Sequence, residues 1–178
     1  HALLLHGSPG LGKGALAEWI ARATLCERPA SAPCGECASC TLHEAGSHPD
    51  LRRVSVATGK KQIAIDDVRE LIGALALKSY RGGRKVGIVD PADAMNVNGA
   101  NALLKTLEEP SPGTLLILVV ARGDRLPATI ASRCQRLRIA PPPPEAATAW
   151  LADRRPGVDW TGPRALAGGA PLAALRLV

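Results

Sequence analysis

Residues 7–14, Gly7-Ser8-Pro9-Gly10-Leu11-Gly12-Lys13-Gly14, carry the spacing of a phosphate-binding loop, G-x-x-x-x-G-K. Glycines let backbone N–H groups turn inward toward a phosphate. A helix starting at the lysine adds its positive end, and Lys13 reaches the terminal phosphates. The bland alternative is a glycine-rich turn with a solvated lysine. A hydroxyl is needed next to hold magnesium, but that position is Gly14. Asp90, closing the apolar run Val86-Gly87-Ile88-Val89, fits the second metal-holding carboxylate. Beside it, where many such sites carry the Glu that activates water, stands Pro91. The pattern therefore allows weak binding of ATP or ADP and predicts poor hydrolysis.

Cys26, Cys34, Cys37 and Cys40 form a second constellation. Two C-x-x-C steps gather three sulfurs round one point, and Cys26 is placed to close a tetrahedron. The chemistry expected is structural Zn2+, since four sulfur ligands leave no open position for water or substrate. Disulfides are the rival reading. A phosphate-loop protein without a signal sequence suggests a reducing, cytoplasmic setting, where disulfides are rare. His43 and His48 are alternative ligands, with surface or capping roles as the plainer reading. The fifth cysteine, Cys134, reads as a buried thiol.

Alternating strand and helix signals must position these groups. Strands are expected at Leu3–Leu5, Leu51–Val56, Lys85–Asp90, Thr114–Ala121 and Arg136–Ile139. Helices are expected over Ala15–Leu25, after a cap at Asp66-Asp67 and ending before Gly82-Gly83, over Asn98–Glu109, and briefly over Pro127–Ser132. Such alternation predicts an α/β fold, a parallel sheet covered by helices on both faces, with ligands at the carboxyl ends of the strands. Residues 26–48 interrupt it as an inserted zinc module. The division expected is a phosphate-loop domain over 1–140, a stiff linker at 141–144, and the start of a small helical lid over 145–178.

The 178 residues suit one core-bearing domain with a small appendage; 46% are hydrophobic and 21% charged, which excludes disordered and low-complexity classes. With no Phe, one Tyr and three Trp, an aromatic platform for stacked bases lacks material. No apolar run approaches the ~20 residues of a membrane span. A net charge of +6 permits an anionic partner without identifying one. The apolar start at His1-Ala2-Leu3, without an initiator Met, reads as a strand inside a longer chain.

These strings resemble the clamp-loader branch of the AAA+ ATPases, and within it the delta-prime subunits of bacterial DNA polymerase III. The resemblance rests on the phosphate loop, the four-Cys insert, Gly46-Ser47-His48-Pro49-Asp50, Ile65-Asp66-Asp67-Val68-Arg69, Asn101-Ala102-Leu103-Leu104-Lys105-Thr106-Leu107-Glu108-Glu109-Pro110 and Ser132-Arg133-Cys134. It implies a five-membered ring that opens a sliding clamp and places it on primed DNA. The implied partners are motor (gamma/tau) and delta subunits, the clamp, and DNA through backbone phosphates. It also implies that Arg133 is an arginine finger acting on a neighbour's ATP, and that a collar domain lies beyond Val178. Motor members carry a hydroxyl after the lysine, Asp-Glu at the strand end, a polar sensor and a lid arginine. The matching positions here hold Gly14, Pro91, Val120-Ala121 and Leu172. The resemblance therefore favours a stator that does not itself turn over. The alternatives are a hydrolysing gamma/tau-type motor and a zinc-dependent nucleic-acid reader. The basic cluster Arg81, Arg84 and Lys85 is either a DNA contact or a wet strand flank.

Overall fold

A computed structural model describes residues 1–121 and 126–178. Five strands, β1 (Ala2–His6), β2 (Leu51–Val54), β3 (Lys85–Val89), β4 (Thr114–Val120) and β5 (Gln135–Arg138), form one sheet in the order β2-β3-β4-β1-β5. Every pairing is parallel. The crossovers contain helices because adjacent parallel strands need a long return path. The helices are α1 (Lys13–Leu25), α2 (Ala38–Glu44), α3 (Ile65–Ala76), α4 (Val97–Glu108), α5 (Ala128–Ala131), α6 (Pro144–Arg154), α7 (Thr161–Leu166) and α8 (Pro171–Leu175). None of the described helices is long and apolar enough to cross a membrane.

The strands' twofold alternation divides the core. Leu4, Leu116, Leu118 and Val120 join Val68, Leu71, Leu75 and Leu103 of α3 and α4 on one face. Leu5, Ile117 and Val119 point the other way, onto Ala17, Ala21 and Leu25 of α1. Central strands β3 and β4 are almost wholly buried, which explains their unbroken Val/Leu/Ile character, whereas β5 is exposed throughout and forms an edge.

Several boundaries differ from the sequence expectation for identifiable reasons. Asp66 and Asp67 do not cap α3. Its N-cap is Ala64, without a side-chain bond, and the two carboxylates sit in the first turn, where they face the helix's positive end. The same helix stops at Ala76, before Gly82-Gly83, because the buried Lys85 ammonium donates to the carbonyls of Ala74 and Leu77. β2 ends at Val54 and β5 begins at Gln135. Pro144, expected in the linker, opens α6, where its missing N–H costs no helical bond. Beyond it, Leu151, Trp160 and Ala174 form a separate small core under α6, α7 and α8.

Candidate functional site

The phosphate loop leaves the carboxyl end of β1 and enters α1 through Gly12, which has left-handed backbone angles (φ 79°) open to glycine. Lys13 is 7% exposed and its ammonium donates to Ser8 O at 2.9 Å, so the loop's own backbone satisfies it. Burial lowers the lysine's pKa, opposed by the charges of Asp90 and Asp93. Asp90 follows β3 and its pKa is raised by burial, with Lys13 pulling the other way.

The structure gives Gly14 a steric reason as well as a chemical one. A Cβ there would lie 2.6 Å from Asp90 Oδ2. The carboxylate thus occupies the space a hydroxyl-bearing side chain would enter. On the opposite side α8 packs directly on the loop. Leu172 N–H donates to Gly10 O at 3.0 Å, and a Cβ on Gly10 would meet Ala173 at 2.6 Å. Leu172, where the resemblance puts a lid arginine, therefore meets the loop with an apolar chain. The cleft of about 330 Å³ that remains is lined by Lys13, Gly14, Asp90, Pro91 and Ala121, and also by Arg176. Arg176 escaped the sequence reading. It lies one helical turn after position 172, and only the packing of α8 brings it here. No side-chain oxygen follows Lys13 for a metal, and Pro91 offers neither acid nor base, so Asp90 is the carboxylate that lines the cleft beside Lys13.

The four cysteines are gathered as their spacing predicts. Cys26 ends α1, Cys37 is the N-cap of α2, and Cys40 lies in the first turn of α2. All four sulfurs lie within 4.8 Å of one another. Cys26 and Cys37 Sγ are 3.9 Å apart, close to the ~3.8 Å that 2.3 Å zinc–sulfur bonds impose on a tetrahedron. Backbone N–H groups of Arg28 and Cys34 point at Cys26 Sγ, that of Cys37 at Cys34 Sγ, and that of Cys40 at Cys37 Sγ, at 3.4–3.5 Å. These donors favour thiolates. The Cys34 thiol is held below its ordinary value by the Glu36 and Cys37 amides. Burial pushes Cys40 up, so deprotonation there is coupled to metal arrival. No disulfide joins any of the five cysteines. The four could hold one metal ion.

Neither histidine belongs to that set, and neither is a surface group. His43 Nε2 lies 3.1 Å from Glu18, which also grips Arg53 at 2.6 Å. His48 is 3% exposed and its Nδ1 accepts the Asp50 N–H at 3.1 Å. Asp50, also 3% exposed, accepts from Ser79 Oγ and from the Tyr80 and Arg81 amides, fixing the loop before β3. The Gly46–Asp50 string contained both residues, but its local pattern did not announce this long-range role. The cluster Arg81, Arg84 and Lys85 separates in space: Arg81 pairs with Glu27 at 2.6 Å, Lys85 is buried against α3, and Arg84 is exposed.

Arg133 lies between α5 and β5. Its guanidinium donates to Thr129 O at 2.8 Å and meets Glu108 Oε1 at 2.7 Å, linking two of the strings that carried the resemblance. In the parallel register Leu3 pairs with Gln135, so Arg133 stands at the amino end of the sheet. The phosphate loop leaves the carboxyl end. Cys134, half-buried against the core, has its thiol pushed up to about 11 by burial.

A parallel sheet in the order 2-3-4-1-5, a phosphate loop after β1, an acid after β3 and a small helical unit packed on the loop define an AAA+ fold. Solved structures agree: a gamma subunit-related protein of DNA polymerase III from Thermotoga maritima superposes at TM-score 0.62 and 22% identity over 99% of this chain and 53% of its own. Thermotoga maritima RuvB follows at 0.55 and 17%, over 99% and 52%. The sequence model described as "DNA polymerase III, delta subunit" matches residues 1–143, and the chain belongs to that family. It is 47% identical to DNA polymerase III subunit delta' of Pseudomonas aeruginosa, over 99% of this chain and 55% of the relative. With the delta' subunit of Escherichia coli it shares 41%, over 85% and 46%. The subunit tau/gamma of Haemophilus influenzae is a weaker match, at 36% over 78% and 20%. The chain spans about half the length of the delta' relatives it matches.

Proposed function

We propose that this chain is the AAA+ portion of a clamp-loader subunit of the delta-prime kind: a stator that hydrolyses ATP poorly, if it binds it, and lends Arg133 to a neighbouring ATPase subunit. One observation carries the reading. Arg133 sits at the end of the sheet opposite its own phosphate loop, so a phosphate it touches belongs to another chain. A guanidinium there offsets charge that grows on phosphoryl oxygens in the transition state, and such fingers are worth ~10³ or more in rate. Glu108 and Thr129 O hold the guanidinium between α4 and α5.

The phosphate loop Gly7-Ser8-Pro9-Gly10-Leu11-Gly12-Lys13-Gly14, with Asp90, would hold ATP or ADP weakly. Gly14 and Pro91 leave magnesium and water without their usual protein partners. Cys26, Cys34, Cys37 and Cys40 would hold structural Zn2+. Residues 1–140 act as the phosphate-loop domain and 145–178 as its lid. The partners proposed are the motor (gamma/tau) and delta subunits, the sliding clamp, and primed DNA contacted through its phosphates and hence salt-sensitively.

The test uses the full-length subunit assembled with its motor subunits, clamp and primed DNA. Arg133→Ala should cut turnover at the neighbouring site by about 10³-fold while the subunit alone stays inactive. Unchanged turnover would remove the finger. The motor reading draws on the likeness to tau/gamma subunits. It requires turnover by the isolated subunit that disappears in Lys13→Ala.

A further inference from the structure

Three charged side chains line the cleft of about 330 Å³ over the phosphate loop: Lys13 from the start of α1, Asp90 after β3 and Arg176 at the end of α8. Lys13 is almost fully buried and donates to Ser8 O. Asp90 comes so close that a Cβ at residue 14 would lie 2.6 Å from its Oδ2. Arg176 is exposed and has no ion-pair partner among the described residues.

A magnesium ion on a loop of this kind is held by a hydroxyl after the lysine and a carboxylate at the strand end. Here only the carboxylate is present, and it occupies the space that a hydroxyl-bearing side chain at residue 14 would enter. The donor set does not fit magnesium. A polyphosphate on the loop would then meet Asp90 as bare negative charge. Lys13 offsets that single charge, so the net positive charge of the cleft rests on Arg176. A guanidinium suits the task, because it stays protonated and its fork matches two phosphate oxygens at once.

The neighbouring cleft, about 470 Å³, shares Gly10, Gly12, Ala15 and Leu172 with the first and is closed by Pro142 and Trp150. None of its lining side chains is charged. The two clefts together suit a ligand with a flat, weakly polar ring at one end and phosphates at the other.

We propose that this chain takes a nucleoside diphosphate or triphosphate free of divalent metal, with the Arg176 guanidinium supplying the counter-charge that magnesium supplies in a hydrolysing site. The proposal rests on the reading of residues 7–14 as a phosphate site and goes beyond it in naming the counter-ion. Asp90 then opposes the ligand and keeps the site weak, the reverse of its part in a magnesium site.

The experiment is calorimetric titration of ADP into the full-length, zinc-loaded subunit, in buffer freed of magnesium and again with millimolar magnesium. ADP should bind in both, and no more tightly with magnesium. Arg176→Ala should weaken binding about tenfold or more, as loss of a charge-assisted pair does, and Arg176→Lys should recover part of it. Asp90→Asn, nearly unchanged in shape, should tighten it. A thermal melt checks that each variant is folded. Binding that requires magnesium, that survives intact in Arg176→Ala, or that weakens in Asp90→Asn would overturn the proposal, and its loss in Lys13→Ala would still leave the loop a nucleotide site. Failure of the wild type to bind millimolar ADP would overturn both the proposal and the reading of the loop beneath it. Pyrophosphate binding as tightly as ADP would overturn the nucleoside as ligand.

Discussion

At the scale of single residues, the phosphate loop differs from a hydrolysing one through small groups in contact. Gly14 withholds a hydroxyl and at the same time leaves room for the Asp90 carboxylate, so simple restoration of the side chain should fail. Gly14→Ser, which brings Cβ to 2.6 Å from Asp90 Oδ2, is expected to cost about 1–3 kcal/mol by thermal unfolding, with no gain in phosphate release because Pro91 remains. Cys134 offers a pH test. Its thiol keeps its proton up to about 11 in the folded chain, against 9.0 ordinarily. The folded state therefore binds more protons than the unfolded one between those values, and stability should fall as pH rises through that window. Urea unfolding of the zinc-loaded protein at several pH values should show this slope, reduced in Cys134→Ala. Alkylation of Cys134 near neutral pH should require unfolding.

At the scale of elements, side chains outside the helical pattern decide where helices begin and end. Asn96 caps α4, its Oδ1 accepting the Gly99 N–H at 2.8 Å, and so sets the frame in which Glu108 arrives opposite Arg133. Asn96→Ala should cost about 1 kcal/mol of stability in chemical denaturation, with the fold retained. The sequence placed α4 to within a residue at each end because Pro110 and the Leu103–Leu107 spacing are local signals. The end of α3, at Ala76 rather than at Gly82-Gly83, is set by no local signal. Its last carbonyls are satisfied by Lys85, which arrives from β3 and is buried by the fold.

At the scale of the molecule, the chain is a sheet with two appended units, each with its own small core. The cysteine module is packed chiefly round its own sulfurs, so the metal that these four cysteines could hold would supply what apolar burial does not. Chelation, or Cys40→Ser, should therefore abolish bound zinc measured by atomic spectroscopy and speed hydrogen exchange of the α2 amides, leaving exchange in β3 and β4 slow. The sequence by itself determined the alternating α/β order, the phosphate loop and the four-sulfur cluster, because each depends on residues close in the chain whose geometry a turn or helix start dictates. Only the tertiary structure decided that Asp90 fills the space above Gly14, that Ala173 and Leu172 close on the loop, that Glu108 holds Arg133, and that His48 is buried with Nε2 unpaired among the described residues. Those contacts join residues from different elements. Helix and strand patterns set which face of each element is buried, but the packing of the faces against one another sets which side chains meet.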